Sequence, residues 1–349
     1  MTEICAIDDV ADSGAALSDI AAQFGGKAAG LVRLRRAGVP TPPTWFVTHT
    51  VPADTFDTTR LDPMVQRWAV RSSATVEDGG QRSYAGLFSS ELAVDSSAVP
   101  AALHRVRASG ANARVHAVHD GAVLGPIPVV LQPYFEAQAA GVWIGDGVGG
   151  GILEWSSSGN DAVVAGRVTP TREIWRQGKL VDGDRLMAEG QAVAARCLAI
   201  EEAVIGASDI EFCVAQGRVV WLQCRPATAR IPGDIAPSLP THDAGIVAGI
   251  PASGGIHTGR PRVMDSPEDA DWKPGDILVV RFTSIDWVPI MAEASAVVTD
   301  IGGALSHAAI IARELGIPCV TGTSTGTTLL RSLDAVTVDG DAGQVRLNT

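Results

Sequence analysis

The sequence has no apolar run near the roughly 18 residues that a membrane-spanning helix requires. This holds although hydrophobic residues make up 46% of its 349 positions and the mean hydropathy is +0.17. The N-terminus, MTEICAIDDVADSG, lacks the basic stretch and long apolar segment of a secretory signal. A cytoplasmic protein without a membrane partner is therefore expected. Positive charge is scarce: 27 basic residues stand against 39 acidic ones, a net charge of −12. Such a surface does not displace counterions from a polyanion, so no nucleic-acid partner is expected. A bound anion needs a local cluster of Lys and Arg. Cysteine is also sparse, an odd five with no C-x-x-C pair, which excludes the common zinc and redox spacings. Cys213, Cys224 and Cys319 lie in apolar surroundings and are expected as small core residues. Internal repeats and low-complexity tracts are absent.

What is present is a chain long enough for two domains. Residues 229–241, ARIPGDIAPSLPT, hold three prolines and a glycine without apolar periodicity, and are expected as a linker between domains 1–228 and 242–349. In the first part a helix is expected over 27–37, with short strands at 45–48, 68–71 and 129–132. A further helix over 188–205 leads into a hairpin of 210–214 and 219–224, turning at Gln216-Gly217. Residues 145–151, GDGVGGG, are expected as a loop between strands. In the second part strands are expected at 276–281, 296–299, 319–320 and 335–338, with a helix over 306–315 stopped by Gly316. The alternation argues an α/β fold class, α+β in the first domain.

The chemistry concentrates in a few places. In residues 299–318, TDIGGALSHAAIIARELGIP, two glycines follow a strand and Ser306 stands as an N-cap, which puts His307 in the first helical turn. The positive end of the helix disfavours imidazolium and suits an added phosphoryl group. A histidine packed near a cap fits the spacing equally well. Lys27 follows Gly25-Gly26 at a helix start and suits a phosphate, as would any solvated lysine there. Arg71 ends an apolar strand and is followed by hydroxyls; it can bind phosphate bidentately or close an ordinary salt bridge. If the hairpin loop has an odd number of residues, Glu211, Trp221, Gln223 and Arg225 share one face, and Ile210, Phe212, Val214, Val220, Leu222 and Cys224 the other. Carboxylate and amide oxygens with substrate phosphates suit Mg²⁺, and the guanidinium suits a moving phosphoryl group. A paired Glu and Arg on a solvated face is the alternative.

Residues 302–318 resemble the phosphohistidine motif of the phosphoenolpyruvate-utilising enzymes, among them phosphoenolpyruvate synthase, pyruvate phosphate dikinase and rifampicin phosphotransferase. The resemblance continues through 275–279, 297–300 and 338–345, and in the first part through 25–27, 37–43, 70–78, 83–86, 130–132, 164–169, 209–211 and 222–226. It implies a trimmed ATP-grasp domain followed by a small swivelling phosphohistidine domain. ATP and Mg²⁺ are the implied cofactors. Lys27, Arg71, Gln132, Glu211, Gln223 and Arg225 would hold nucleotide, Glu211 and Gln223 the metal, with His307, Arg225 and Arg71 catalytic. The implied reaction is of the dikinase type: ATP phosphorylates His307, the phosphoryl group passes to an acceptor, and AMP and phosphate are the products. Ile285 departs from the family's usual proline, and the stretch between Thr48 and Trp68 is short. With the linker running straight into the histidine domain, no pyruvate barrel is expected; the acceptor is expected to be a small molecule in an interdomain cleft, or a separate protein. An ATP-grasp ligase acting through an acyl phosphate, a phosphohistidine carrier subunit and a non-catalytic binding module are the competing readings.

Overall fold

A computed structural model describes residues 4–51, 56–74, 88–109, 127–159, 163, 166–227, 245–269 and 271–348. The expected linker 229–241, residues 75–78 and 83–86, and Val164 with Ala165 lie outside them. Contacts divide the chain into two units. One comprises residues 1–138, 145–149 and 187–228; the other comprises 139–144, 150–186 and 229–349. This differs from the linear division at residue 228. Much of 139–186 groups with the C-terminal residues, and one side chain from this stretch reaches the turn before His307, as described below.

The first unit contains an antiparallel sheet in the order Ile4–Ala6, Trp45–Val47, Val129–Pro133, Arg67–Ser72, Ser90–Asp95. Alternation splits its apolar residues between two faces. Val47, Trp68, Val70, Val129 and Leu131 pack with Val99, Leu103 and Val106 of the helix Val99–Ala108. Phe46 and Val130 pack on the other face with Ile20 and Phe24 of Leu17–Phe24 and with Ala28, Leu31 and Val32 of Gly26–Arg36. Arg71, out of step with Val70, points to this second face. The hairpin Ser208–Ala215 and Arg218–Pro226 belongs to the same unit and turns at Gln216-Gly217, both at positive φ. The expected helix over 188–205 is shorter. Met187–Ala188 and Gln191–Ala192 pair around a Glu189-Gly190 turn, with φ of 51° and 75°, and the helix runs only Val193–Val204. Two successive left-handed residues make a tight turn that a helix cannot contain.

In the second unit the strands Gly151–Ser156, Thr171–Arg176 and Lys179–Gly183 form an antiparallel meander. Beyond them lies a five-stranded sheet in the order Ile250–Ser253, Cys319–Thr321, Ala296–Thr299, Ile277–Val280, Pro261–Val263, parallel from Cys319–Thr321 onward. Its strands are apolar on both faces, as a covered parallel sheet requires. Leu278, Val280 and Val297 meet Met291 of Val288–Glu293 and Ala308, Ala309 and Ala312 of His307–Leu315. Ile277, Val279, Val298 and Val320 meet Val247, Val336, Val338 and Val345 of a four-stranded antiparallel sheet. The chain thus has the expected α/β class. All five cysteines are free thiols, and the three expected in the core are buried. Burial pushes Cys213 and Cys224 up to about 11 and Cys319 up to about 12, so none is a thiolate at neutral pH.

Candidate functional site

In the first unit, the helix Gly26–Arg36 starts against the end of the strand Arg67–Ser72. Gly25, at φ 84°, allows this contact: a Cβ there would stand 1.5 Å from the Ser73 carbonyl oxygen. The Ala28 N–H donates to Ser73 Oγ at 3.3 Å and Lys27 Nζ reaches Ser72 Oγ at 3.5 Å. The same helix lies on the hairpin through Gly30, where a Cβ would stand 2.0 Å from the Cys224 carbonyl oxygen. These two close approaches bring Lys27, Arg71 and the hairpin side chains together.

The hairpin achieves its facing by a route the sequence reading left conditional. Its turn has two residues, an even number, which alone would set Glu211 opposite Leu222. An irregularity beside Leu222 shifts the register, so that Glu211 opposes Gln223 and Asp209 opposes Arg225. Glu211, Gln223 and Arg225 therefore do share a face. Trp221 does not: it opposes Phe212 and packs on it at 6.2 Å between ring centres, while Val220 opposes Cys213.

Arg71 Nη2 donates to Glu211 Oε2 at 2.5 Å and its Nη1 to the Leu222 carbonyl oxygen at 2.9 Å. Burial pushes the Glu211 carboxyl up, but the charges of Arg71, Lys27 and Arg225 prevail and hold it below the usual carboxylate range. Beside it Gln223 Oε1 is buried without a hydrogen-bond partner among the described residues. Arg225 is fixed by Asp209, whose Oδ2 accepts from Nε at 2.8 Å and from Nη2 at 2.6 Å. Gln132 lies on the same sheet face as Arg71, across from Ala69. It is buried and its Nε2 donates to Thr44 Oγ1 at 3.1 Å. Chemically, this face offers two hard oxygen donors and three cations, a set suited to a polyanion and a divalent ion.

In the second unit His307 begins its helix beyond the carboxyl end of the parallel strand Ala296–Thr299. Thr283 follows the adjacent strand Ile277–Val280, which is why the two meet: Thr283 Oγ1 lies 2.9 Å from His307 Nδ1. Carboxyl ends of parallel strands are the usual place for such encounters. Ser306 occupies the N-cap position, but its hydroxyl donates to the Gly303 carbonyl oxygen at 2.8 Å and does not cap the helix. The imidazole is 6% exposed, and Nε2 has no hydrogen-bond partner among the described residues. Burial lowers its pKa to about 4, so the ring is neutral at physiological pH.

Three residues around these groups are not among the expected site residues. Asp209 carried a signal, since it sits two residues from Glu211 on one strand and so on one face. Glu154 carried one too, a lone charge in the apolar run GILEW. Thr283 had none, because only the pairing of two strands brings it to His307.

Residues 272–343 match the phosphoenolpyruvate-utilising enzyme mobile domain. Over 321 residues, 79% of this chain, the sequence is 31% identical to a probable phosphoenolpyruvate synthase of Methanothermobacter thermautotrophicus, of which 46% is covered. It is 52% identical over 102 residues to the phosphoenolpyruvate synthase of Aeropyrum pernix, covering 29% of this chain and 12% of that protein. With the rifampicin phosphotransferase of Bacillus subtilis it shares 39% over 104 residues, covering 30% and 12%. The chain thus spans less than half the length of the curated relatives it matches. Residues 272–343 thus match the mobile domain of the phosphoenolpyruvate-utilising enzymes, and most of the chain is similar to part of a probable phosphoenolpyruvate synthase.

Proposed function

We propose that this chain is an ATP-dependent phosphotransferase of the dikinase type, with an ATP-grasp first part, and that His307 carries the phosphoryl group. The observation that carries the reading is the state of His307: a neutral, buried imidazole whose Nδ1 meets Thr283 and whose Nε2 is unpartnered among the described residues. With Nδ1–H donating to Thr283, the lone pair sits on Nε2. In the transfer a P–O bond of ATP breaks as an N–P bond forms at that atom, and the covalent intermediate divides one difficult transfer into two easier ones.

Lys27 and Arg71 hold nucleotide phosphates, and Arg71 exchanges its Glu211 partner for them. Arg225, aimed by Asp209, stabilises charge on the moving group. Gln132 lines the base side of the nucleotide. The Glu211 carboxylate and the Gln223 oxygen, unpartnered among the described residues, fit Mg²⁺, which takes few protein oxygens and completes its shell with phosphate and water. When bound, the ion neutralises charge on the phosphates. The acceptor is a small molecule; a second P–O bond of ATP breaks as water takes the other phosphoryl group, so that AMP and phosphate are the remaining products.

Incubation with ATP and Mg²⁺ should leave one acid-labile, base-stable phosphoryl group on the chain, seen by intact mass, and His307→Ala should abolish it. Persistence of the label in that variant would remove His307 from the reaction.

A further inference from the structure

The turn that precedes His307 is held by a carboxylate from a distant strand. Glu154, on Gly151–Ser156, is fully buried. Its Oε1 accepts from the Ala304 N–H at 2.7 Å and its Oε2 from the Leu305 N–H at 2.9 Å. The approach leaves no room at residue 303, where a Cβ would stand 2.4 Å from Oε2, 2.6 Å from Oε1 and 2.6 Å from Pro170 Cγ. Arg313 grips the same peptide from the other side, donating to the Ala304 carbonyl oxygen at 2.7 Å. The charges facing the carboxylate are Arg172, opposite it in the strand pair, and Arg313. Burial pushes the Glu154 carboxyl up against the pull of the two N–H groups and these two cations. Each carboxyl oxygen nevertheless accepts a backbone N–H, as the ionised form does, and an anion desolvated to this degree is held by its donors and is sensitive to any charge brought near it.

We propose that Glu154 is a positioning residue: an anionic clamp that seats the 303–305 turn, and with it His307, and that is loosened when His307 receives a phosphoryl group. The release step rests on the phosphohistidine reading above. A phosphoryl group brings up to about two negative charges within three residues of the clamped amides. In a dry interior it repels the Glu154 anion with little screening. It also competes for the positively polarised N–H groups where the helix begins. The turn is thus seated while His307 is bare and freed once it is loaded. Glutamine cannot replace the carboxylate, because its amide group would set an N–H against one of the two backbone donors.

Hydrogen exchange of the full chain, read by mass spectrometry on a peptide spanning 301–307, tests both halves. Three states are compared: bare wild type, wild type loaded by ATP with Mg²⁺ or by phosphoramidate, and Glu154→Gln. Exchange should be slow in the first and about tenfold faster in the other two. Loading should add nothing further in Glu154→Gln, and the strand Ala296–Thr299 should stay equally protected throughout. A Glu154→Gln chain exchanging at the wild-type rate overturns the clamp. A wild type whose mass proves it loaded, yet which exchanges as the bare protein does, overturns the release, and this arm depends on no variant. If neither donor loads His307, the proposed function fails and the release step with it, while the comparison of bare wild type with Glu154→Gln still decides the clamp.

Discussion

At Glu211 burial and neighbouring charge act in opposite directions, and charge wins because three cations converge on one carboxylate. Glu211→Gln keeps the shape and removes the charge that pairs with Arg71. The pair is largely buried, but a glutamine oxygen can still accept from Arg71, so the loss of stability should stay within about 1–3 kcal/mol. Phosphorylation of His307 should nevertheless fall by about a hundredfold, since the charge is placed for the ligand. Label incorporation set beside the thermal midpoint checks this, and unchanged incorporation would remove Glu211 from the transfer. His307 shows the other extreme, a titratable group surrounded by apolar contacts. Its pKa of about 4 keeps the nucleophile neutral well below the ordinary histidine value. Initial rates of phosphorylation at pH 5.5 and 7.5 should therefore agree within about twofold. A decline centred near pH 6.5 would show a solvated ring.

At the scale of elements, the helix Gly26–Arg36 and the hairpin are fitted through one residue. Gly30→Ala places a methyl carbon 2.0 Å from the Cys224 carbonyl oxygen, and backbone cannot yield as a side-chain tip can. The cost should be about 1–3 kcal/mol, measured by denaturant unfolding, with weaker nucleotide binding because Lys27 and the hairpin separate. A fully stable variant would mean that the helix can lift without consequence. The hairpin adds a lesson about register. Glu211, Gln223 and Arg225 can be paired by parity from sequence, but the condition was met by an irregularity beside Leu222 and not by the turn. The strand pattern was legible for the residues that meet the site. Trp221 was misplaced because a bulge leaves no sign in alternation counted from one end.

For the whole molecule, pH acts through buried groups of opposite sign. His307 binds its proton less well folded than unfolded, so the stability it contributes is full above about pH 6.5 and is lost as pH falls toward 4, up to about 3 kcal/mol. Glu154 and Glu173 are raised by burial, so the folded chain holds their protons longer. Their contribution is present at low pH and is lost as pH rises above the ordinary carboxylate range. Urea unfolding at pH 4.5 and 7 should show His307→Asn losing less stability on acidification than the wild type. Parallel losses in both proteins would place the imidazole in solvent.

The alternation of strands and helices, the glycines before His307 and the cations at strand and helix ends are local features, so the sequence alone determined the fold class and nominated Lys27, Arg71, Glu211, Gln223, Arg225 and His307. Their partners belong to tertiary structure. Thr283 reaches His307 because two parallel strands end side by side, and Glu154 reaches Ala304 and Leu305 across 150 residues of chain. Such contacts depend on how separate elements pack and leave no periodicity to read. The grouping of 139–144 and 150–186 with the histidine-bearing residues was decided the same way: contacts set it, and contacts do not follow chain order.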